Sequence, residues 1–362
     1  MSFAYNRTDG YFKNDFTGGK SNKSDSYDIR YQGSVFTDAT WKVAFGLNYN
    51  HSFDDGYAYH AIDSLKVHRH RVNYNADASY KRDLLSTYVN VQKHFSQTRL
   101  NWITSYSRAK DKQVLDADFT YHDVFQNGKE SKQDLITQEI NYQSSRGDKI
   151  DWTVGTFGFY KDLTNDYLAT FGTERHLLLP LDLDQALYYN NTSTWGIAGY
   201  GQITVKNLLP GMFVTAGIRY DYEKASLSYR DSLLFHDADR FTGYHDWDEK
   251  HSYAAWLPKF SVLQKWNEQL STYLNISKGY KAGGYNIISN EMTTQVVELE
   301  YDKESLWNYE LGAKYFSVNG RFNVNGALFY IDWKDQQIFV MEMIIINVTT
   351  QQQKSIPKST NM

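Results

Sequence analysis

The sequence predicts an all-β chain built as a partial transmembrane antiparallel β-barrel of about 14 strands. Three observations carry this. Apolar residues occupy alternate positions over long stretches instead of forming runs. Aromatic residues make up 16% of the 362-residue chain, with 30 Tyr and 9 Trp, yet only 41% of residues are hydrophobic and Pro occurs four times. Short polar turns alternate with long loops from one end to the other. A soluble domain so rich in Tyr would carry more aliphatic core, and the mean hydropathy of −0.61 shows it does not. Alternation hides hydrophobicity from any search for apolar runs, so the absence of a stretch long enough for a membrane helix leaves a barrel open.

Residues 2 to 11 alternate weakly and a polar segment from Lys13 to Lys23 follows. Tyr27, Ile29, Tyr31, Gly33 and Val35 mark the next strand, which turns at Thr37 to Thr40. Trp41, Val43, Phe45, Leu47 and Tyr49 then share one parity against Lys42, Ala44, Gly46, Asn48 and Asn50. Ten such residues, tilted, cross a bilayer. Residues 52 to 82 lose the pattern and read as one long loop. Leu85 to Phe95 and Leu100 to Tyr106 pair across a tight turn, and a loop of about 110 to 131 follows. Lys132 to Ser144 joins Trp152 to Tyr160 through Ser145 to Asp148, and the next loop runs from about 165 to 192. Trp195 to Val205 leads through a short turn into Met212 to Tyr222, a loop of about 229 to 249 intervenes, and Tyr253 to Trp266 turns at Asn267-Glu268 into Leu270 to Tyr280. Trp307 to Tyr315 and Gly320 to Asp335 close the series around the Asn319-Gly320 turn, whose pair tolerates positive φ. In this reading the short connections share one end and most long ones share the other, as in outer-membrane barrels.

At that point several motifs resemble a known family. SKGYKAGGYN contributes Ser277, Lys278, Gly279, Tyr280, Lys281, Gly283, Gly284, Tyr285 and Asn286. WNYELGAKY contributes Trp307, Asn308, Tyr309, Glu310 and Gly312, and GRFNVNGALFYIDWKDQQ contributes Tyr330 and Asp332. Together with RTDGYFKND, WITSYSRAKD, AGYGQITV and VTAGIRYDYE, these stand in the order found in the barrel of TonB-dependent outer-membrane receptors, which the chain resembles up to about Asn347. The resemblance implies a barrel of roughly 22 strands closed by a plug, an outer-membrane location in a Gram-negative cell, and energy from the TonB complex. Iron chelates, cobalamin or glycans would be the cargo, with a ferric siderophore preferred. Against that pattern the sequence from Met1 reads as starting in the barrel, with neither plug nor signal peptide expected in this chain, and residues 348 to 362 read as a tail without strand pattern. The chain is therefore expected to be a piece of a receptor that does not transport alone, its ending marking a frameshift or truncation. A passive porin-like channel and a soluble β-rich glycan-binding module are the competing readings, the second lacking the regular four-strand repeats of a propeller.

Seven loop aromatics, Tyr57, Tyr59, Phe119, Tyr121, Tyr188, Tyr189 and Tyr244, offer a stacking rim for a chelate or sugar. An interfacial girdle accounts for aromatics at strand ends equally directly, and takes the larger share. SKGYKAGGYN lacks the Gly-Lys-Ser/Thr order of a phosphate loop and reads as a strand end whose Gly283 and Gly284 release the chain into a loop. His68-Arg69-His70 places alternate imidazoles on one strand face for a metal, and Asp111, Asp116, Asp118 and Asp123 offer carboxylates for calcium but lack the glycine and the Glu of a known calcium loop, so solvated loops explain both more simply. No catalytic residue, metal site or cofactor is expected, so an enzyme is not. Zero cysteines exclude thiolate chemistry, and a net charge of −4 gives nucleic acid no surface.

Overall fold

The computed structural model describes residues 1–57, 59, 70–145, 147, 149–177, 182–236, 241, 246–285, 300–342 and 347–352. Among these, thirteen strands form one antiparallel sheet in which each pairs with its neighbours in chain order. They are β1 (Ser2–Thr8), β2 (Lys23–Phe36), β3 (Trp41–Asp55), β4 (Ser79–His94), β5 (Thr98–Asp116), β6 (Phe125–Ser144), β7 (Ile150–Phe171), β8 (Leu183–Lys206), β9 (Met212–Phe235), β10 (Asp246–Lys265), β11 (Leu270–Lys281), β12 (Glu304–Phe316) and β13 (Asn323–Lys334). One end of the sheet carries the short connections 37–40, 95–97, 145–149, 207–211, 266–269 and 317–322. Local chemistry makes those turns. Asp38 Oδ1 accepts from the Thr40 and Trp41 amides, Asn267 Oδ1 from the Gln269 and Leu270 amides, and Gly211 and Gly320 take φ of 76° and 68°.

The predicted alternation becomes two faces with different solvents. Outward parity places Trp102, Val154, Ile197, Ile218, Trp256, Leu311 and Leu328 on the surface, Ile218 half exposed at 51% and Leu328 at 78%. Inward parity carries Asn48, Asn90, Asn101, Glu139, Tyr200, Arg219, Lys259 and Glu310. Setting apolar side chains on the outside makes sense only where the outer solvent is hydrocarbon. The inner face packs rings on glycines of the adjacent strand: Tyr88 covers Gly46, Tyr200 covers Gly155 and Tyr273 covers Gly312. Tyr200 and Tyr273 then donate their hydroxyls to Glu139 and Glu310, so the rings fasten strands as well as fill space.

Strands run further than the sequence suggests. The expected loops 110–131, 165–192 and 229–249 shrink to 117–124, 172–182 and 236–245, because β5 to β10 extend to 19–24 residues each. The 52–82 loop shrinks to 56–78 and includes a short strand, Arg71–Val72, beside Phe12–Asn14. About 9–11 tilted residues cross the hydrocarbon, so roughly half of each long strand stands beyond it. There the outer face meets water, so polar residues occupy both parities while backbone pairing continues. Cross-strand ion pairs such as Arg82–Asp111 and Lys112–Glu130, both 2.8 Å, hold the extension instead.

The sheet does not close: β1 and β13 each pair on one side only. Gln337–Glu342 and Asn347–Gln352 form a separate antiparallel pair, so strand structure reaches to 352 where the sequence expects none after 347. Inside the sheet, β9 and β10 pair over their full overlap, but β10 and β11 pair only from Lys265↔Ser271 to Lys259↔Ser277. Pairing stops beside Pro258, whose ring removes the next donor. The chain that leaves β11 then returns over the inner face, where Tyr285 packs against Ala225 and Leu227 of β9.

Candidate ligand-binding vestibule

All the tightly packed apolar clusters among the described residues lie at the long-connection end, on the inner side. One contains Ala169, Phe171, Leu183 and Ala186, with Phe125 stacked on Phe171 at 5.2 Å. A bulge between Leu183 and Gln185 turns Leu183 inward against the strict alternation. A second contains Ala225, Leu227, Tyr229 and Tyr285, with Tyr188 and Trp247 packed on it. Tyr229 and Trp247 face each other across β9 and β10, rings parallel at 4.8 Å. Tyr229 donates its hydroxyl to Asp231 at 3.0 Å, and Tyr285 reaches the Ala225 carbonyl at 3.4 Å. A third cluster, Val72, Tyr74 and Ala78, seats Tyr57 and Phe12 beside β3 and β4.

These rings, with Tyr253, make an aromatic wall above the polar interior. Burial raises the phenols of Tyr188 and Tyr285 to about 12, so both remain hydrogen-bond donors at neutral pH. Tyr229 and Tyr285 are buried, so the ring area left open to a ligand belongs to Trp247 and Tyr188.

The seven loop candidates divide. Tyr57 stacks on Tyr59 at 6.1 Å, and Phe119 meets Tyr59 edge-on at 5.5 Å, bringing three of them together. Tyr57 also accepts from Gln113 Nε2 at 3.0 Å. Tyr121 lies against His122 and is mostly exposed. Tyr188 belongs to the inner wall, while Tyr189 points outward beside Leu187 in a groove of about 390 Å³ on the other face. Tyr244 lies outside the described residues. Three residues of the wall, Tyr229, Trp247 and Tyr253, are not among the sequence candidates; their signal was present as the inward parity of Arg219, Asp221 and Glu223 continuing through Ala225 and Leu227.

The described motif residues lie on strands or at a strand end. Ser277 to Lys281 end β11, Trp307 to Gly312 lie in β12, and Tyr330 and Asp332 lie in β13 opposite Tyr309 and Trp307. Asn286 falls outside the described residues. Gly283 and Gly284 are required by close approach: any Cβ would collide with the Tyr301 carbonyl and Tyr253 hydroxyl at Gly283, and with the Tyr301 ring at Gly284. They admit neighbours as well as release the chain. Of the acidic series, Asp116 is buried and holds the Ala76 and Phe119 amides, Asp118 holds Thr120 and Phe125, Asp123 holds Thr173, and Asp111 is paired with Arg82. Asp111, Asp116 and Asp123 thus tie neighbouring loops or strands together, and Asp118 ties its own loop. His68 and Arg69 lie outside the described residues.

A sheet apolar without, polar within and aromatic at one end has the arrangement of a membrane β-barrel wall. The chain belongs to the TonB dependent receptor-like, beta-barrel family, whose model matches residues 1–361. It is 24% identical over 186 residues to the pesticin receptor of Yersinia enterocolitica, covering 51% of this chain and 24% of that protein, and 23% identical over 186 residues to the pesticin receptor of Yersinia pestis. In structure it is similar to the ferric yersiniabactin uptake receptor FyuA from Yersinia pestis, with a TM-score of 0.76 at 16% identity over 92% of this chain and 49% of that one. The ferric citrate transporter FecA gives a TM-score of 0.64 at 15% identity over 92% and 46%. The chain thus spans about half the length of the solved structures it matches and about a quarter of the curated relatives.

Proposed function

We propose that this chain is part of the barrel of a Gram-negative outer-membrane receptor that captures a ferric siderophore at its long-loop, extracellular mouth. Import would draw on the TonB complex, and the remaining strands and a plug would complete the transporter. The observation that carries the reading is the aromatic wall of Tyr188, Tyr229, Trp247, Tyr253 and Tyr285, lifted above the hydrocarbon by strand extensions. Catecholate and phenolate chelates are flat, matching the partly exposed rings of Trp247 and Tyr188, which the buried Tyr229, Tyr253 and Tyr285 hold in place. FyuA is a ferric yersiniabactin uptake receptor and FecA a ferric citrate transporter, which supports iron-chelate cargo.

Tryptophan fluorescence of the purified chain in detergent tests this, titrated in turn with a ferric tris-catecholate, cyanocobalamin and maltohexaose. Quenching by the ferric chelate is expected, with affinity about fivefold weaker in Trp247→Ala, since a lost stacking face is worth about 1 kcal/mol. Binding of only the cobalamin or the oligosaccharide, or equal affinity in the variant, overturns the reading.

A further inference from the structure

We infer that His251, Glu300 and Asp302 form a binding site for a divalent transition-metal cation, with Zn²⁺ the best fit, that pins the segment preceding β12 against β10. One donor atom from each of the three lies within 4.8 Å of the others. His251 sits on the inward parity of β10; Glu300 belongs to a two-residue strand paired with Gly284–Tyr285, and Asp302 follows it. They are far apart in sequence, so their convergence is a property of the fold.

Two further observations point at a ligand. Glu300 Oε1 pairs directly with His251 Nδ1 and is shielded from solvent, so the two donors already converge on one point. Tyr253 is only 4% exposed, and its hydroxyl has no hydrogen-bond partner, while the charges of Glu300 and Asp302 act on it. A water on the cation would satisfy that hydroxyl. One imidazole and two carboxylates suit Zn²⁺ with an open position, and provide too few oxygens for Ca²⁺. Donors about 2.0–2.2 Å from a tetrahedral ion stand closer together than 4.8 Å and further apart than the direct His251–Glu300 contact, adjustments that side-chain rotation makes. Bound there, the ion would fix the vestibule wall at Tyr253, Tyr285 and Tyr301, a structural role separate from the cargo and independent of its identity.

The test uses the whole chain in detergent, stripped with EDTA and titrated with Zn²⁺ against a chromophoric chelator. One equivalent is expected, with affinity at least tenfold weaker in His251→Ala and in the isosteric pair Glu300→Gln/Asp302→Asn, and unchanged in His70→Ala from the 56–78 connection. Far-UV circular dichroism establishes that the isosteric pair folds. Zn²⁺ is also expected to slow tryptic cleavage at Lys303, whose ammonium already holds the Ala254 carbonyl at 2.7 Å, in the native chain and not in the pair. No uptake by the native chain, undiminished affinity in the folded pair, or cleavage at Lys303 indifferent to Zn²⁺ overturns the assignment.

Discussion

Ile218→Arg is expected to destabilise the membrane-inserted sheet by about 2–4 kcal/mol, the cost of a cation near the hydrocarbon midplane of a barrel. Ile218 stands opposite Gly201 on β8 and Pro258 on β10, on the same outward parity as Ile203 and Trp256. It follows the short turn at 207–211 by seven residues, near the middle of the crossing portion. An arginine there has no inner-face partner to reach, because its parity points away from Asp221 and Glu139. Ser261→Arg, on the inward parity beside Thr215, supplies the contrast and is expected to change stability by less than about 1 kcal/mol, as for a tolerated surface replacement. Urea titration in lipid vesicles, read by tryptophan fluorescence, distinguishes the two. Equal effects at both positions would mean that both faces meet the same solvent.

Ala198→Pro is expected to be at least as damaging, by about 3 kcal/mol or more. Ala198 lies in the centre of β8, between Phe157 of β7 and Asp221 of β9, and is almost fully buried. Its carbonyl also accepts from Thr156 Oγ1 at 3.0 Å. Proline there deletes a ladder donor between two paired neighbours and forces a ring into filled space, and in hydrocarbon the orphaned carbonyl finds no water. Pro258 marks the limit of tolerance: it is accommodated where pairing with β11 ends. Amide hydrogen exchange should show protection lost along β7 to β9 in Ala198→Pro; native-like protection would place the segment outside a continuous ladder.

The fold was legible wherever two solvents differ. Trp41 to Tyr49 and Met212 to Tyr222 revealed their parity because one face is greasy and the other wet, and the Asp38, Asn267 and Asn319 turns carried their own chemistry. Legibility failed above the membrane, where Phe125 to Ser131 of β6 and Tyr229 to Phe235 of β9 carry polar residues on both parities. There strand and loop share a composition. The vestibule was half legible for the same cause. Tyr57, Tyr59 and Phe119 could be singled out as loop aromatics and do converge. Tyr229 and Trp247 lie in a stretch whose periodicity the loop reading conceals, and Tyr253 begins the strand that follows it. His251, Glu300 and Asp302 were invisible because they are far apart in sequence and only the fold brings β10 and the residues before β12 together.

The central claim is that the outward parity faces lipid and the inward parity faces water. The chain has no cysteine, so single cysteines can be placed from residue 212 to 222 without background and spin-labelled in lipid vesicles. Oxygen is expected to reach labels at 214, 216, 218 and 220, and a water-soluble nickel complex those at 215, 217, 219 and 221, with a period of two. Uniform access of the nickel complex to both sets would contradict it.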